Sequence, residues 1–309
     1  LAIPGILEQV EAVTRSMAPS SITGRGVIVR AGVDGVSVMD PTGGERKFRP
    51  DHVATLASSE QPTAVSPVPA LVALGSDTDG RQILVDLESA GLTTIELDDP
   101  VPTCVAMGLE LACSPWADGV TVVAVGIVGR ALGTDLENVE HAPDAERAAA
   151  EAMTRIRSQR DVLDRRSATL GDMRTDDDTR DAWAPRVYLF GPDLSAASAQ
   201  KLRAVAVDGD PVAVGVVVAG LQAAPTRAAS AERIAPGTPR RATSEPTRDL
   251  RIVPGNQGAT IEPHGLTFTP QTLPPTTAHA VSTLLAVTGS DETTPAPWFD
   301  PIDPDGDAT

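Results

Sequence analysis

The sequence predicts an α/β fold, with a mostly parallel sheet and helices on both of its faces. Apolar runs of strand length alternate with segments of helical spacing, which is the order of βαβ units. Hydrophobic residues make up 41% of the chain but aromatic residues only 3%. The core must therefore be built from Val, Leu, Ile and Ala, a composition typical of parallel strands that are buried on both faces.

The chain divides into a main core with smaller additions. Its 309 residues are enough for one large domain or about two smaller ones, and we expect one main core. Residues 223–248 consist largely of Ala, Pro, Arg, Thr and Ser, which predicts little burial there. The predicted parts are an N-terminal helix with a small β-hairpin module (1–57), an α/β core (65–222), a flexible linker (223–248), a C-terminal module of two or three strands and a helix (249–288) and a disordered tail (289–309).

The first predicted elements are a helix and two hairpins. Ile6, Val10 and Val13 have helical spacing and predict a helix over residues 3–17. Pairs of short apolar runs that flank turns rich in Gly and Asp then predict β-hairpins. The paired runs are 26–30 with 36–39, and 70–75 with 81–88.

The remaining elements follow a βαβ rhythm. Pro143 suits the first turn of a long helix over 143–170, and Gly171 suits its end. The other predicted helices are 102–113, 194–206 and 274–287. The other predicted strands are 93–97, 120–128, 186–190, 212–220, 250–253, 259–262 and 266–270.

Charge and hydropathy exclude some classes of partner. The formal net charge of −17 repels phosphate backbones, so direct nucleic-acid binding by this chain is disfavoured. No apolar run reaches the ~18 residues that a membrane span needs, so we expect no membrane insertion. Cys104 and Cys113 would lie roughly 13 Å apart on one helix, too far for a disulfide, and are predicted to be buried. A reducing, cytoplasmic location fits them.

Several short motifs resemble one family of large actinobacterial membrane proteins. These proteins combine LysM modules with bacterial transcriptional activator domains and are described as regulators. The motifs are Leu74-Gly75, Asp79-Gly80-Arg81, Val85–Glu88, Gly91-Leu92, Leu109–Ala112, Ser114–Asp118 and the closing stretch 258–286. The resemblance implies a cytoplasmic segment of a membrane-anchored protein, and the absence of an initial Met fits an excised segment. Its partner would be another protein or other domains of the same polypeptide.

The order of elements is also similar, more distantly, to the ATPase domains of FtsK/SpoIIIE translocases and of the EccC/EssC motors. Their phosphate loop needs glycines to wrap the phosphates, a lysine to reach the outer phosphates and a Ser or Thr to hold Mg²⁺. The corresponding turn here has no glycine and no lysine. Its residues at this degenerate phosphate-loop position are Glu96, Asp98, Asp99, Pro100 and Thr103. The carboxylates would repel the phosphates of ATP, and the prolines have no N–H to bind them.

Two further functional positions of such a motor, the ends of its metal-binding strand and of its sensor strand, lack their usual residues here. The metal-binding strand of the motors ends in Asp-Glu, whereas the strand 186–190 is followed by Gly191-Pro192, with Asp193 two places late. A later strand of the motors ends in a polar sensor, but here Gly220 runs into Leu221. The resemblance therefore implies a degenerate RecA/P-loop-like core that has lost its ATPase motifs.

These observations predict a non-catalytic interaction or regulatory module rather than an enzyme, with no cofactor and no metal. One alternative is residual nucleotide binding or weak ATP hydrolysis, with an arginine such as Arg130 in place of lysine. A second alternative is a structural spacer. Trp183 and Trp298 are candidate interface anchors, although Trp183 is also predicted as a plug that closes the long helix against the core.

Two other readings concern reactive or metal-binding groups. Cys104, at a predicted helix N-terminus, could act as a thiolate, but buried inert cysteine is the commoner case. Asp77, Asp79 and Gly80 share part of a calcium loop without its complete ligand set, so a β-turn is the stronger prediction.

Overall fold

The computed structural model describes residues 9–10, 12–14, 28–39, 44–51, 53, 68–114, 117, 119–133, 136–176, 178–220, 248–256 and 258–289. In this part of the chain, 13 strands form one mixed sheet. The strands are β1 (Ile28–Gly32), β2 (Gly35–Met39), β3 (Glu45–Phe48), β4 (Leu71–Ser76), β5 (Gln82–Asp86), β6 (Leu92–Ile95), β7 (Thr121–Val125), β8 (Val139–Ala142), β9 (Arg186–Phe190), β10 (Val214–Ala219), β11 (Asp249–Gly255), β12 (Gly258–Glu262) and β13 (Leu266–Pro270).

Helices and one 3₁₀ turn connect these strands. They are α1 (Leu87–Ala90), α2 (Val101–Cys113), α3 (Gly126–Leu132), α4 (Ala145–Arg166), α5 (Leu170–Thr175), the 3₁₀ turn Arg180–Trp183, α6 (Ala196–Val207) and α7 (Pro275–Gly289). None of the helices in the described ranges is both long and apolar enough to cross a bilayer.

The sheet has an antiparallel half and a parallel half. Its order is β3-β2-β1-β5-β4-β13-β12-β11-β6-β10-β9-β7-β8. Among the strands described, the five pairings from β11 to β8 are parallel. The seven pairings from β3 to β11 are antiparallel. The prediction of a mostly parallel sheet is therefore corrected: it fits six strands, because the hairpins at both chain ends join the same sheet instead of standing beside it.

Helices cover both faces of the parallel half, as predicted. Alternate residues of β7 point to opposite faces, so Val122 and Ala124 belong to one core cluster and Val123 and Val125 to the other. The first cluster contains buried residues of α2, α3 and α7, and the second contains those of α4 and α6. The parallel half is thus a three-layer arrangement of helix, sheet and helix.

The antiparallel half contains strands from both the N-terminal and the C-terminal part of the chain. The N-terminal hairpin β1–β2 joins β5 through β1, with Val29 opposite Leu84. The C-terminal strands β11, β12 and β13 lie between β6 and β4. The predicted parts 1–57, 65–222 and 249–288 therefore all contribute strands to one sheet.

The strand predicted over 120–128 is too long. β7 ends at Val125 and α3 begins at Gly126, whose φ is +53°. A continuous apolar run has no periodicity that separates a buried strand from a buried helix. The hydrophobic pattern therefore does not indicate where the strand ends and the helix begins, and the residue that marks this boundary is Gly126.

The long helix also ends earlier than its predicted boundary at 170. Ser167 adopts a left-handed conformation with φ of 50° and ends α4 at Arg166. Thr169 and Asp172 then form a capping box that starts α5, so Gly171 lies inside the next helix and does not end α4. Strand β8 was not predicted at all, because its sequence Val-Glu-His-Ala shows no apolar alternation.

Some predicted features lie outside the described residues. These are most of the helix 3–17, residues 223–247 of the linker, residues 290–309 of the tail, Leu221 and Trp298.

Candidate functional site

The carboxyl ends of β6, β9 and β10 form the edge where an open α/β sheet usually binds its ligand. Helix α2 follows β6 on one face, whereas α6 precedes β10 on the other. Such a change of face normally opens a crevice between the two strands. The strand ends are aligned here, since the Gly220 N–H donates to the Ile95 carbonyl at 2.9 Å.

The three stations predicted from the sequence meet at this edge. A Cβ placed on Gly220 would lie 2.8 Å from Pro192 Cβ and 3.9 Å from Pro100 Cγ. Pro100 comes from the loop after β6, and Pro192 from the loop after β9. Two proline rings therefore narrow the space between the strand ends, and neither has an N–H to offer a phosphate.

Glu96 is the first residue after β6 and links β6 to a neighbouring strand. Its carboxylate accepts two hydrogen bonds from Arg251 on β11, each 2.8 Å long. Arg251 also donates to Glu262 on β12 at 2.7 Å. The hydrogen bond with Glu96 raises the pKa of Arg251. This bidentate pair ties β6 to the C-terminal strands and leaves Glu96 occupied within the protein.

Asp98 and Asp99 are exposed, whereas Pro100 and Thr103 are buried. The Thr103 hydroxyl has no hydrogen-bond partner among the described residues. Pro100 is the N-cap of α2 and makes no side-chain capping bond. The macrodipole supplies roughly half a positive charge at a helix N-terminus. That is less than the charge of the two carboxylates beside it, so the loop disfavours a phosphate.

Gly191 and Asp193 follow β9 and support helix α3. The Asp193 Oδ2 atom accepts the Ile127 N–H at 3.1 Å, at the first turn of α3. A Cβ on Gly126 would overlap this carboxylate, and a Cβ on Gly191 would lie 2.6 Å from its Oδ1 atom. The two glycines thus make room for a carboxylate that caps α3. In the described ranges, no group of three or more His, Cys, Asp or Glu side chains is arranged to hold a metal ion.

Trp183 is not available as an interface anchor in this structure. It is 5% exposed and belongs to the core cluster on the α4 and α6 face. Its carbonyl accepts a hydrogen bond from Arg174 Nε at 3.1 Å. The core position agrees with the alternative reading of Trp183 as a plug.

The two cysteines differ from each other. Cys104 is fully buried, and burial raises the pKa of its thiol to about 12, so a reactive thiolate near neutral pH is contradicted. Cys113 is exposed, which corrects the prediction that both are buried. It lies at the last position of α2, where the helix leaves the sheet.

No family model matches the chain, and no curated protein matches it.

Asp77 and Arg130, two other residues considered in the sequence analysis, lie away from this part of the sheet. Asp77 forms the hairpin turn before β5, because its Oδ1 atom accepts the N–H groups of Asp79 and Arg81 at 2.9 Å each. Its Oδ2 atom accepts from Arg30 at 2.6 Å. Arg130 is exposed in the last turn of α3, at the end of that helix opposite to Asp193. It does not lie in the loops that follow β6 and β9.

A buried charged cluster that no sequence pattern predicted lies at the amino ends of β6 and β11. Arg174 on α5 donates two hydrogen bonds, of 2.9 and 2.5 Å, to the Glu88 carboxylate. Arg248 donates to the Glu88 and Ser89 carbonyls at 2.6 and 3.1 Å, and burial lowers its pKa to about 10. Burial and the neighbouring Glu88 raise the pKa of Asp86 to about 6. Residues Val85–Glu88 had been singled out only by resemblance, and Arg248 closes a segment that reads as linker.

A half-buried carboxyl lies on α2, which packs against β4 of the antiparallel half and β7 of the parallel half. Glu110 accepts the N–H of Ala73 at 2.8 Å, beside the bulge of β4. Burial raises the pKa of Glu110 to about 7. Its position ties α2 to the antiparallel half rather than to the crevice.

Proposed function

We propose that this chain is a non-catalytic interaction module, a degenerate relative of P-loop motor domains that has lost nucleotide binding. The observation that carries the proposal is the approach of Pro100, after β6, and Pro192, after β9, to Gly220 at the carboxyl end of β10. A motor needs an open, glycine-lined loop with free N–H groups in that place.

The layout of the parallel half supports the motor ancestry. β6 leads through a loop into α2 and on to β7, and the long helix α4 precedes β9. β9 and β10 lie between β7 and β6 in the sheet. The expected phosphate-loop, metal and sensor stations therefore become neighbours in space, although they are far apart in sequence.

We call the carboxyl ends of β6, β9 and β10, with Pro100, Pro192 and Gly220, the closed edge. Its surface suggests how the module binds. Pro192, Asp98, Asp99 and Asp193 are exposed there. An acidic surface around a proline favours a protein segment that carries positive charge. Following the resemblance, we assign the module to the cytoplasmic side of a membrane-associated regulator, with another domain of that polypeptide as the partner.

A pull-down tests this interaction against the spacer alternative. The bait is the chain, and the probe is a separately expressed bacterial transcriptional activator domain from a protein of the resembled family. We expect capture that weakens in the double variant Asp98→Asn/Asp99→Asn, because two exposed charges at the closed edge are lost. The matched control is Asp161→Asn/Asp164→Asn, which removes two exposed charges from α4. A spacer would capture nothing, and equal loss in both variants would mean that the closed edge is not the binding surface.

A further inference from the structure

A surface cavity of about 160 Å³ lies at the antiparallel end of the sheet, far from the closed edge. Strands β1, β2 and β3 and the turn between β4 and β5 surround it. Four cationic side chains line it, namely Arg30, Lys47, Arg49 and Arg81. Two carboxylates, Asp34 and Glu45, and the hydroxyl residue Ser37 complete the polar lining.

Two of the arginines are held in fixed positions by carboxylates. Arg30 donates to Asp77 at 2.6 Å, and the Asp77 side chain is only 7% exposed. Arg81 donates from Nε and Nη2 to the two oxygens of Asp34, at 3.2 and 2.6 Å. A guanidinium has five N–H donors, so each arginine keeps donors that these bonds do not use.

Glycines allow the strands and the arginine stem to come this close. A Cβ on Gly32 would lie 2.8 Å from the Arg81 Cγ atom, so the stem of Arg81 passes directly over β1. Gly35 has φ of +118°, and a Cβ there would overlap the Phe48 carbonyl. The cavity is thus built by the backbone as well as by side chains.

Arg49 supplies the cation that is not neutralised. Within the part of the chain that the structure describes, its side chain makes no ion pair, whereas Arg30, Lys47 and Arg81 each do. The lining has four cations against two carboxylates, but two further carboxylates, Asp77 and Asp79, pair with Arg30 and Arg81. Among the described residues, Arg49 is therefore the lining cation left without an acidic partner, and an unpaired cation beside other arginines favours an anionic ligand.

The size of the cavity limits that ligand. Sites for drug-sized molecules have volumes of roughly 300–1,000 Å³, which is more than the 160 Å³ found here. A whole nucleotide does not fit, but a small anion or a terminal anionic group does. Arginine forks match the paired oxygens of such groups.

We propose that this cavity is an anion site that binds a small oxyanion, either a phosphate or a carboxylate group, through Arg49 and Arg81 above Arg30. It is a site separate from the closed edge and does not depend on the function proposed for that edge.

Calorimetric titration of the 309-residue chain tests the proposal. Inorganic phosphate and acetate are the two probes, each compared with sodium chloride at equal ionic strength because salt screens such contacts. Binding of phosphate alone assigns the site to phosphate groups, and binding of acetate alone assigns it to carboxylates. We expect Arg49→Ala and Arg81→Met each to weaken binding about tenfold, the usual effect of losing a charged hydrogen bond.

The control is Arg147→Ala, which removes an exposed arginine at the start of α4 and should bind like the parent chain. A cooperative unfolding transition of each variant in chloride establishes that it is folded. If neither probe binds at concentrations well above about 1 mM, or if Arg49→Ala and Arg81→Met bind as tightly as Arg147→Ala, the proposal is wrong.

Discussion

At the scale of single residues, Gly220 shows how the closed edge is made. Its φ is +79°, and its Cα faces the ring of Pro192. A residue with a side chain would be strained by the backbone and blocked by the ring at the same time. The edge therefore depends on a glycine that closes the crevice, whereas the glycines of a phosphate loop open one.

A pair of glycine substitutions separates these two effects. Gly80 has a similar φ of +76°, but a Cβ there would meet nothing within 4 Å. We expect Gly80→Ala to lower the free energy of unfolding by about 1–2 kcal/mol, the cost of the left-handed backbone. Gly220→Ala should lose a further 1–3 kcal/mol or so from overpacking against Pro192. Urea unfolding measures both, and equal losses would mean that the edge is not closely packed.

The carboxyl of Glu110 gives a prediction about pH. Burial raises its pKa from 4.5 to about 7, so the folded chain binds this proton more tightly than the unfolded chain does. The resulting stabilisation is complete below pH 4.5 and is lost as the pH rises through 7. Its size is about 3 kcal/mol, from 1.36 kcal/mol per pKa unit.

Glu110→Gln tests this pH dependence, since the amide oxygen can still accept the Ala73 N–H. The free energy of unfolding should fall more between acidic and neutral pH in the parent chain than in Glu110→Gln. Glu137→Gln removes an exposed carboxylate and is the control. If Glu110→Gln and Glu137→Gln have the same pH profile as the parent, the carboxyl of Glu110 titrates normally.

At the scale of elements, the sequence predicted those strands and helices that have clear punctuation. The hairpins β1–β2 and β4–β5 and the strand β9 lie where they were expected, because Gly and Asp turns or flanking prolines mark them. The break between β7 and α3 was missed, because Val120 to Val128 is apolar throughout. That Pro100 and Pro192 both lie near Gly220 was implied only by the resemblance, because no local sequence pattern indicates which strand ends are neighbours.

The buried cluster of Arg248 holds α1 against β11 and illustrates what local patterns cannot show. Arg248 immediately precedes β11, yet its two hydrogen-bond acceptors on α1, the carbonyls of Ser89 and Glu88, lie 159 and 160 residues earlier in the chain. We expect Arg248→Met to lower the free energy of unfolding by about 3–5 kcal/mol, because three carbonyls, of Glu88, Ser89 and Gly209, lose a charged donor.

The comparison for Arg248→Met is Arg81→Met, which breaks an ion pair at the surface. Exposed pairs contribute about 1 kcal/mol or less, and the side chains of Arg81 and Asp34 are 32% and 56% exposed. Chemical denaturation of the two variants should therefore give clearly different midpoints. A loss at Arg248 as small as that at Arg81 would show that the buried cluster does not hold the two halves of the sheet together.

At the scale of the whole molecule, one sheet carries two different surfaces. The parallel half ends in an acidic, proline-filled edge at Asp98, Pro100 and Pro192, and the antiparallel half carries the cationic cavity around Arg49. Composition indicated the valine- and alanine-rich core and the α/β class. It did not indicate that the terminal hairpins extend the core sheet, because strand pairing over such distances along the chain depends on contacts that no short segment encodes.

The most direct test of the loss of nucleotide binding is thermal unfolding of the chain with increasing MgATP. A site with a dissociation constant of about 10 μM would, at 1 mM ligand, stabilise the folded state by about 2.7 kcal/mol and raise Tm by roughly 5 °C or more. Because Pro100 and Pro192 crowd Gly220 and offer no N–H groups, we expect Tm to stay constant over this range in Arg49→Ala, the variant whose cationic cavity is weakened. A Tm of Arg49→Ala that rises with MgATP would contradict the account.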